Sequence, residues 1–242
     1  MLTRGKAQAA ERPKRFYAAA GVGALVGGFS VLLDGRPVKT PGGVNLMLPT
    51  TALAQLAAAE WGLQGEQIIF AEMPVTRLAY TAVDRAGAVR DEIAQDVARR
   101  AGSDLLCYFA QGPAPLIERE LTHWGPVLEW ARRELGLELE RTSGIIHQPQ
   151  PEAALERARA LALELDDFRL TGLAAAASLF GSAVLAFALE RGELSGEAAF
   201  ALSRLDEIFQ EEHWGVDEEA AVRTAGLCRE AVALDKWFRA LG

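Results

Sequence analysis

Cysteine and histidine are the side chains here that could carry nucleophilic or metal chemistry, and their spacing argues against both. Nucleophilic catalysis needs a thiol or hydroxyl with a base and an orienting acid beside it. Cys107 lies in the apolar run SDLLCYFA and Cys228 in AGLCREAV. Both read as small buried hydrophobes. No G-x-S-x-G turn occurs. The histidines, His123, His147 and His213, fall one to a region and form neither H-E-x-x-H nor a Cys/His cluster. Each reads as a surface or half-buried structural residue. The run Gly21-Val22-Gly23-Ala24-Leu25-Val26-Gly27-Gly28 approaches a dinucleotide fingerprint, but Val26 replaces its third glycine. The residues after this run have strand character rather than helix character, so these glycines read as bends and turns. No phosphate-binding P-loop is present. The acidic pairs are too many to select a glycosidase dyad. The surviving enzyme reading places Cys107 or an acid pair in a cleft between two domains.

The informative stretch is Leu202 to Ala221, LSRLDEIFQEEHWGVDEEAA. Leu205, Ile208 and Phe209 would face a core. Ser203, Glu207, Gln210 and Trp214 recur at i, i+4, i+7 and i+11, one stripe of a single helix. Gly215 breaks that helix and Asp217 restarts one. Physics alone favours a solvated face with a corner tryptophan plugging the turn. The functional alternative is a partner-binding surface, because Trp among polar neighbours is common anchor chemistry.

Composition sets the bounds. The 242 residues, half of them hydrophobic, are enough for one large or two modest domains with a real core. Thirty-three acidic against 25 basic residues give a net charge of −8, which argues against nucleic acid as a partner. Two cysteines far apart fit a reducing compartment. Residues 1–15 are basic, with no apolar signal-peptide run behind them, and read as a flexible tail. Leu170 to Leu189 is charge-free and about long enough to span a bilayer. Its alanines, Gly172, Gly181, Ser178 and Ser182 dilute it, and its flanks carry no positive bias. It reads as one buried helix, about 168–190, without stable membrane insertion.

The expected fold is α+β. A β-rich N-terminal domain over 16–85 carries one helix, and a larger helical bundle fills 86–242. Asp34-Gly35 marks a two-residue hairpin. Thr50 or Thr51 caps a helix that ends at Gly65. Gln67 to Phe70 is a strand candidate, and Pro74 to Asp84 reads as irregular or extended. A helix over 115–135 carries a buried stripe of Leu116, Leu121, Trp124, Leu128 and Ala131. Pro151 opens the next helix. The remaining helices cover about 168–190, 195–212 and 217–240, with Ser195 and Asp217 as N-caps.

A series of blocks in fixed order carries a family resemblance. They are RFY at 16–18, LLDGRPVKTPGG at 32–43, LPTTALAQLAAAEW at 48–61 and MPVTRLAYTAVDR at 73–85. SDLLCYFA at 103–110, HWGPVLEWA at 123–131, SGIIHQPQP at 143–151 and LDEIFQEEHWGVDEEA at 205–220 complete it. The chain resembles the assembly chaperones of the F1-ATPase α subunit, found in mitochondria and alphaproteobacteria. Two positions depart from the pattern: Phe109 stands where arginine is expected, and Phe209 where Trp or Tyr is usual. The resemblance implies no cofactor and no catalytic turnover. It implies that the protein binds the free F1 α subunit, masks its β-facing surface and is displaced by the β subunit. Asp206, Glu207, Gln210, Trp214, Gly215 and Asp217 are the partner-binding positions it implies, with Glu207 foremost and Trp214 fixing the helix corner. A bacterial cytoplasm, or a mitochondrial matrix for a eukaryotic source, is the expected location. The free chain is expected to be a monomer.

Overall fold

The computed structural model describes residues 12–215 and 217–242. Its first elements are β1 (Ala20–Leu25), β2 (Gly28–Leu33) and β3 (Arg36–Pro37), an antiparallel meander. At the β2–β3 turn Asp34 and Gly35 both take positive φ, 47° and 79°, as the expected tight hairpin requires. The glycine run resembling a nucleotide fingerprint is β1 and its hairpin, with Val26 fully exposed at the tip. Of the basic segment, residues 1–11 lie outside the described residues. Residues 12–15 are not a loose tail. Lys14 bridges Gln67, the Ile68 amide donates to the Pro13 carbonyl, and the Arg15 guanidinium donates to the carbonyls of Gln64, Tyr17 and Ala18. That single bridge is all the structure makes of the strand expected over Gln67 to Phe70.

Helix α1 (Thr51–Gly62) opens on Thr50, whose Oγ1 accepts from the Leu53 amide. It closes at Leu63, short of Gly65. Its buried side, Leu53, Ala54, Ala57, Ala58 and Trp61, packs on the meander. A second helix, α2 (Pro74–Asp84), occupies the stretch expected to be irregular. Residues 16–85 therefore hold two α-helices rather than one. No side chain near Met73 caps α2. Glu60 of α1 does so instead, its two carboxylate oxygens each 2.8 Å from the amides of Val75 and Thr76. A carboxylate at the amide end of a helix satisfies orphan donors and favours the dipole.

The helical part begins with α3 (Arg90–Ala101). A short parallel pair, β4 (Tyr108–Phe109) and β5 (Thr142–Ser143), flanks α4 (Ala114–Trp130). One π-turn extends α4 to Leu135, where Gly136 at φ 67° ends it. The α4 stripe buries Leu116, Trp124, Leu128 and Ala131, but Leu121 faces solvent and Glu120 takes the inward position. Helix α5 (Glu152–Glu164) follows Pro151, as expected.

The charge-free run is two helices, α6 (Asp167–Phe180) and α7 (Ala183–Glu190). Gly181 at φ 65° ends the first, and the Ser182 hydroxyl accepts the Leu185 amide to start the second. Among the described residues no helix is long and apolar enough to cross a membrane. All eight residues of α7 are buried, at the centre of the bundle. Its amide end is held by Asp104, fully buried, whose oxygens accept from Val184 and Leu106.

The expected helix over 195–212 also divides, into α8 (Gly196–Ser203) and α9 (Leu205–Trp214), with Arg204 at φ −119° between them. The last element is α10 (Glu218–Leu241). Ser195 and Asp217 are the N-caps, as expected. A β-carbon on Gly196 would stand 2.2 Å from the Ala231 carbonyl oxygen, so glycine sets the close approach of α8 to α10. The core is continuous from Tyr17 to Ala240. Apolar packing of α1 on α10 and α2 on α6 crosses the change in composition near residue 85. The fold is α+β, mostly helical, with strands first.

Candidate partner-binding face

Helix α9 lies across α4, and α4 supplies most of what holds it. Trp124 is buried, and its indole N–H donates to the Leu202 carbonyl at 3.0 Å, fixing the end of α8. Arg119 grips Glu212 with two hydrogen bonds of 3.0 and 2.8 Å. The same guanidinium sits 5.2 Å from the Phe209 ring centre. A forked cation–carboxylate contact combined with ring stacking suits arginine better than lysine. The Phe209 ring is buried with the His213 ring 4.3 Å away, while the imidazole Nδ1 meets the Phe209 carbonyl. At the other departure position, buried Phe109 packs edge-on against Trp124 at 5.7 Å.

Beside this brace lies a carboxyl pair. Glu120 is fully buried, and its Oε2 accepts the Ala110 amide at 2.9 Å. Asp206 on α9 stands near enough that the two carboxyls act on one another's charge. Oε1 of Glu120 and Oδ1 of Asp206 are buried and have no hydrogen-bond partner. Burial, then the neighbouring Asp206, push Glu120 up to about 7. Burial also raises Asp206, helped by the Glu207 charge.

The six positions implied by the resemblance separate in space. Glu207, Gln210 and Trp214 face solvent on one edge of α9. Trp214 is 78% exposed, so it does not plug the helix corner. Asp206 points inward to Glu120. Gly215 turns the chain at φ 87°, and the Asp217 carboxylate accepts the Ala220 amide to start α10. Ser203 leaves the stripe because the helix breaks at Arg204; its hydroxyl donates to the Phe200 carbonyl. Arg204 reaches Glu207 at 3.4 Å and Glu211 at 3.9 Å. Arg119, Glu120 and Arg204 are the supporting residues that sequence reasoning missed. For Glu120 a signal existed: it stands four residues from both Leu116 and Trp124, in phase with the buried stripe.

The chemistry of the remaining candidates is spent on structure. Cys107 is buried, and burial followed by the nearby Asp104 charge pushes its thiol up, away from reactivity. Cys228 is half-buried rather than buried. His147 pairs with the Tyr108 hydroxyl. Among the described residues no group of three His, Cys, Asp or Glu could hold a metal. A groove of about 790 Å³ runs between α1–α2 and α10, lined by Glu60, Leu63, Glu72, Arg223, Leu227 and Glu230 among others, with no cysteine or histidine.

Comparison with known proteins fixes the lineage. Residues 14–132 match the family described as ATP12 chaperone protein. The crystal structure of Atp12 from Paracoccus denitrificans is 38% identical, with a TM-score of 0.87 over 95% of this chain and 99% of that one. The chain belongs to the ATP12 chaperone family. The Atu1473 protein of Agrobacterium tumefaciens agrees, at 39% identity and a TM-score of 0.89 over 95% of this chain and 87% of that one. Protein atp12, mitochondrial, of Schizosaccharomyces pombe is 27% identical over 78% of this chain and 69% of its own length. A member of the ATP12 family is a chaperone and not an enzyme. The family match ends at residue 132, so likeness to the solved ATP12 structures is what extends the assignment beyond it.

Proposed function

We propose that this ATP12-family chaperone serves F1-ATPase assembly by binding the free α subunit through the outer edge of α9. The observation that carries the reading is Trp214. A large aromatic left 78% exposed, beside Glu207 and Gln210 and on a helix braced from below, is the arrangement of a partner anchor rather than of a solvated face. Glu211, Glu218 and Glu219 add negative charge to the same helix and the next, which suits a client surface of basic or mixed character.

Glu207, Gln210 and Trp214 make the contact in this reading. Asp206, Gly215 and Asp217 build the face: one seats α9, one turns the chain, one starts α10. The client surface is the apolar one that later meets the β subunit, since exposed patches of that kind aggregate. The β subunit displaces the chaperone without ATP hydrolysis, because exchange needs only that the α–β contact be tighter. The free chaperone is a monomer, acting in a bacterial cytoplasm or, for a eukaryotic source, a mitochondrial matrix.

The test is co-expression with the F1 α subunit of the same source, then size-exclusion chromatography without nucleotide. A soluble one-to-one complex that dissociates on adding β subunit is the expected result. If α aggregates regardless and the two never co-elute, the client is wrong.

A further inference from the structure

The Glu120–Asp206 pair is placed where it controls the proposed contact face. Asp206 opens the first turn of α9, and Glu207 is the next residue. Glu120 is fully buried on α4. Two ionised carboxylates cannot share a buried contact without a proton between them. One proton repairs the arrangement: a protonated Glu120 donates to Asp206 and still accepts the Ala110 amide through its other oxygen. Like-charged carboxyls in contact titrate as a unit, one of them at unusually high pH.

The surroundings leave the pair to itself. On α4 the neighbouring Arg119 is committed to Glu212 and the Phe209 ring, and His123 faces solvent. On α9 and its approach, Arg204 is directed to Glu207 and Glu211, and Glu207 adds further negative charge. β4 offers the Ala110 amide just past its end and no charged side chain. Helix α7, which also packs on α4, carries one charged residue, Glu190, held by Arg169 and Arg191.

We propose that Glu120 and Asp206 are positioning residues, a carboxyl pair sharing one proton that seats α9 on α4 and presents the client-contact edge only while that proton is held. This rests on the reading of α9 as the contact face. The direction is set by the chemistry. Below about pH 7 Glu120 keeps its proton and α9 is docked. As pH rises through that value the proton is lost to solvent, the carboxylates repel, and α9 loosens. Glutamine at 120 carries a permanent amide donor of nearly the same shape, so it should hold ionised Asp206 at any pH.

The experiment uses the full chain and two readouts. Hydrogen exchange of α9 amides, relative to those of α3, is measured at pH 6 and pH 8 for wild type, Glu120→Gln and Asp206→Asn. Affinity for F1 α subunit is measured on the same samples. The expected result is that wild-type α9 protection and α-subunit affinity each fall about tenfold between the two pH values, the effect of one pH unit of proton linkage. Glu120→Gln should flatten both curves and bind more tightly than wild type at pH 8. Asp206→Asn removes the repulsion from the other side, so it gives the same answer if Glu120→Gln fails to fold. Equal wild-type α9 protection at both pH values, or an unchanged slope in the variants, overturns the proposal. A pH-dependent α9 that never binds α subunit leaves the latch standing and removes the proposed client.

Discussion

Helices α7 and α9 are both short, and each is held by a buried acid from elsewhere in the chain. The α7 acid, Asp104, meets backbone amides of Leu106 and Val184. The α9 acid, Glu120, meets one amide and another carboxyl. Burial raises both, Asp104 to about 6 and Glu120 to about 7. For Asp104 every other influence opposes the rise, because donors favour the ionised form. For Glu120 the neighbour adds to it. A carboxyl among amides keeps its partners whether or not it is ionised, whereas one facing a second carboxylate holds only with a proton. The permanent device secures the centre of the bundle, and the conditional one sits under the face proposed to bind.

Removing the fastener should do most damage. Asp104→Ala strips the cap from α7 and leaves buried amides unpaired, at a cost of about 3–5 kcal/mol in urea unfolding. A smaller loss would mean that α7 is held by packing alone. Next comes a binding effect without a folding effect. Trp214→Ala should weaken α-subunit binding by about 2 kcal/mol with no change in Tm, since its ring is mostly outside the core. A lowered Tm would return Trp214 to a structural role.

The acid side of the comparison is tested by pH. Acids held above their unfolded values bind protons in the folded state that the unfolded chain has released. Stability is therefore highest below about pH 4 to 4.5 as far as these groups are concerned. It falls as pH rises through about 6 for Asp104 and about 7 for Glu120. Urea midpoints from pH 5 to 8 should decline in wild type, with the upper part of the decline absent in Glu120→Gln. The smallest effects belong to the exposed charges. Arg119→Ala gives up the Glu212 fork and the Phe209 stack and should lower Tm only slightly, since solvent screens the pair. Glu207→Gln should leave Tm unchanged and cost about 0.5–1 kcal/mol in client binding, measured by titration calorimetry.

What the sequence made legible was local. Thr50, Ser195 and Asp217 cap the helices beside them, and Asp34-Gly35 turns its own hairpin. Helix α2 was hidden because its cap, Glu60, comes from another helix. The division of the charge-free run was written in Gly181-Ser182, a helix stop followed by a helix start, but continuous hydrophobicity masked it. On α4, choosing Leu121 for the buried stripe overlooked Glu120 one position earlier, where spacing outranked polarity. For the site, the exposed edge of α9 could be read from periodicity. Its supports could not, because Arg119 and Glu120 are more than eighty residues away in the chain and meet α9 only in three dimensions.

The Thr50 hydroxyl, besides capping α1, donates to the carbonyl of Ala240 at 2.6 Å. Helix α10 seals the core there with Trp237 and Phe238. Helix α1 thus waits for a residue 190 positions later in the chain. Contacts spanning so much sequence close slowly. Until residue 240 has been synthesised, the part of α1 that α10 covers stays open to the cell. A protein proposed to shelter another's unfinished surface spends its own synthesis with a like exposure.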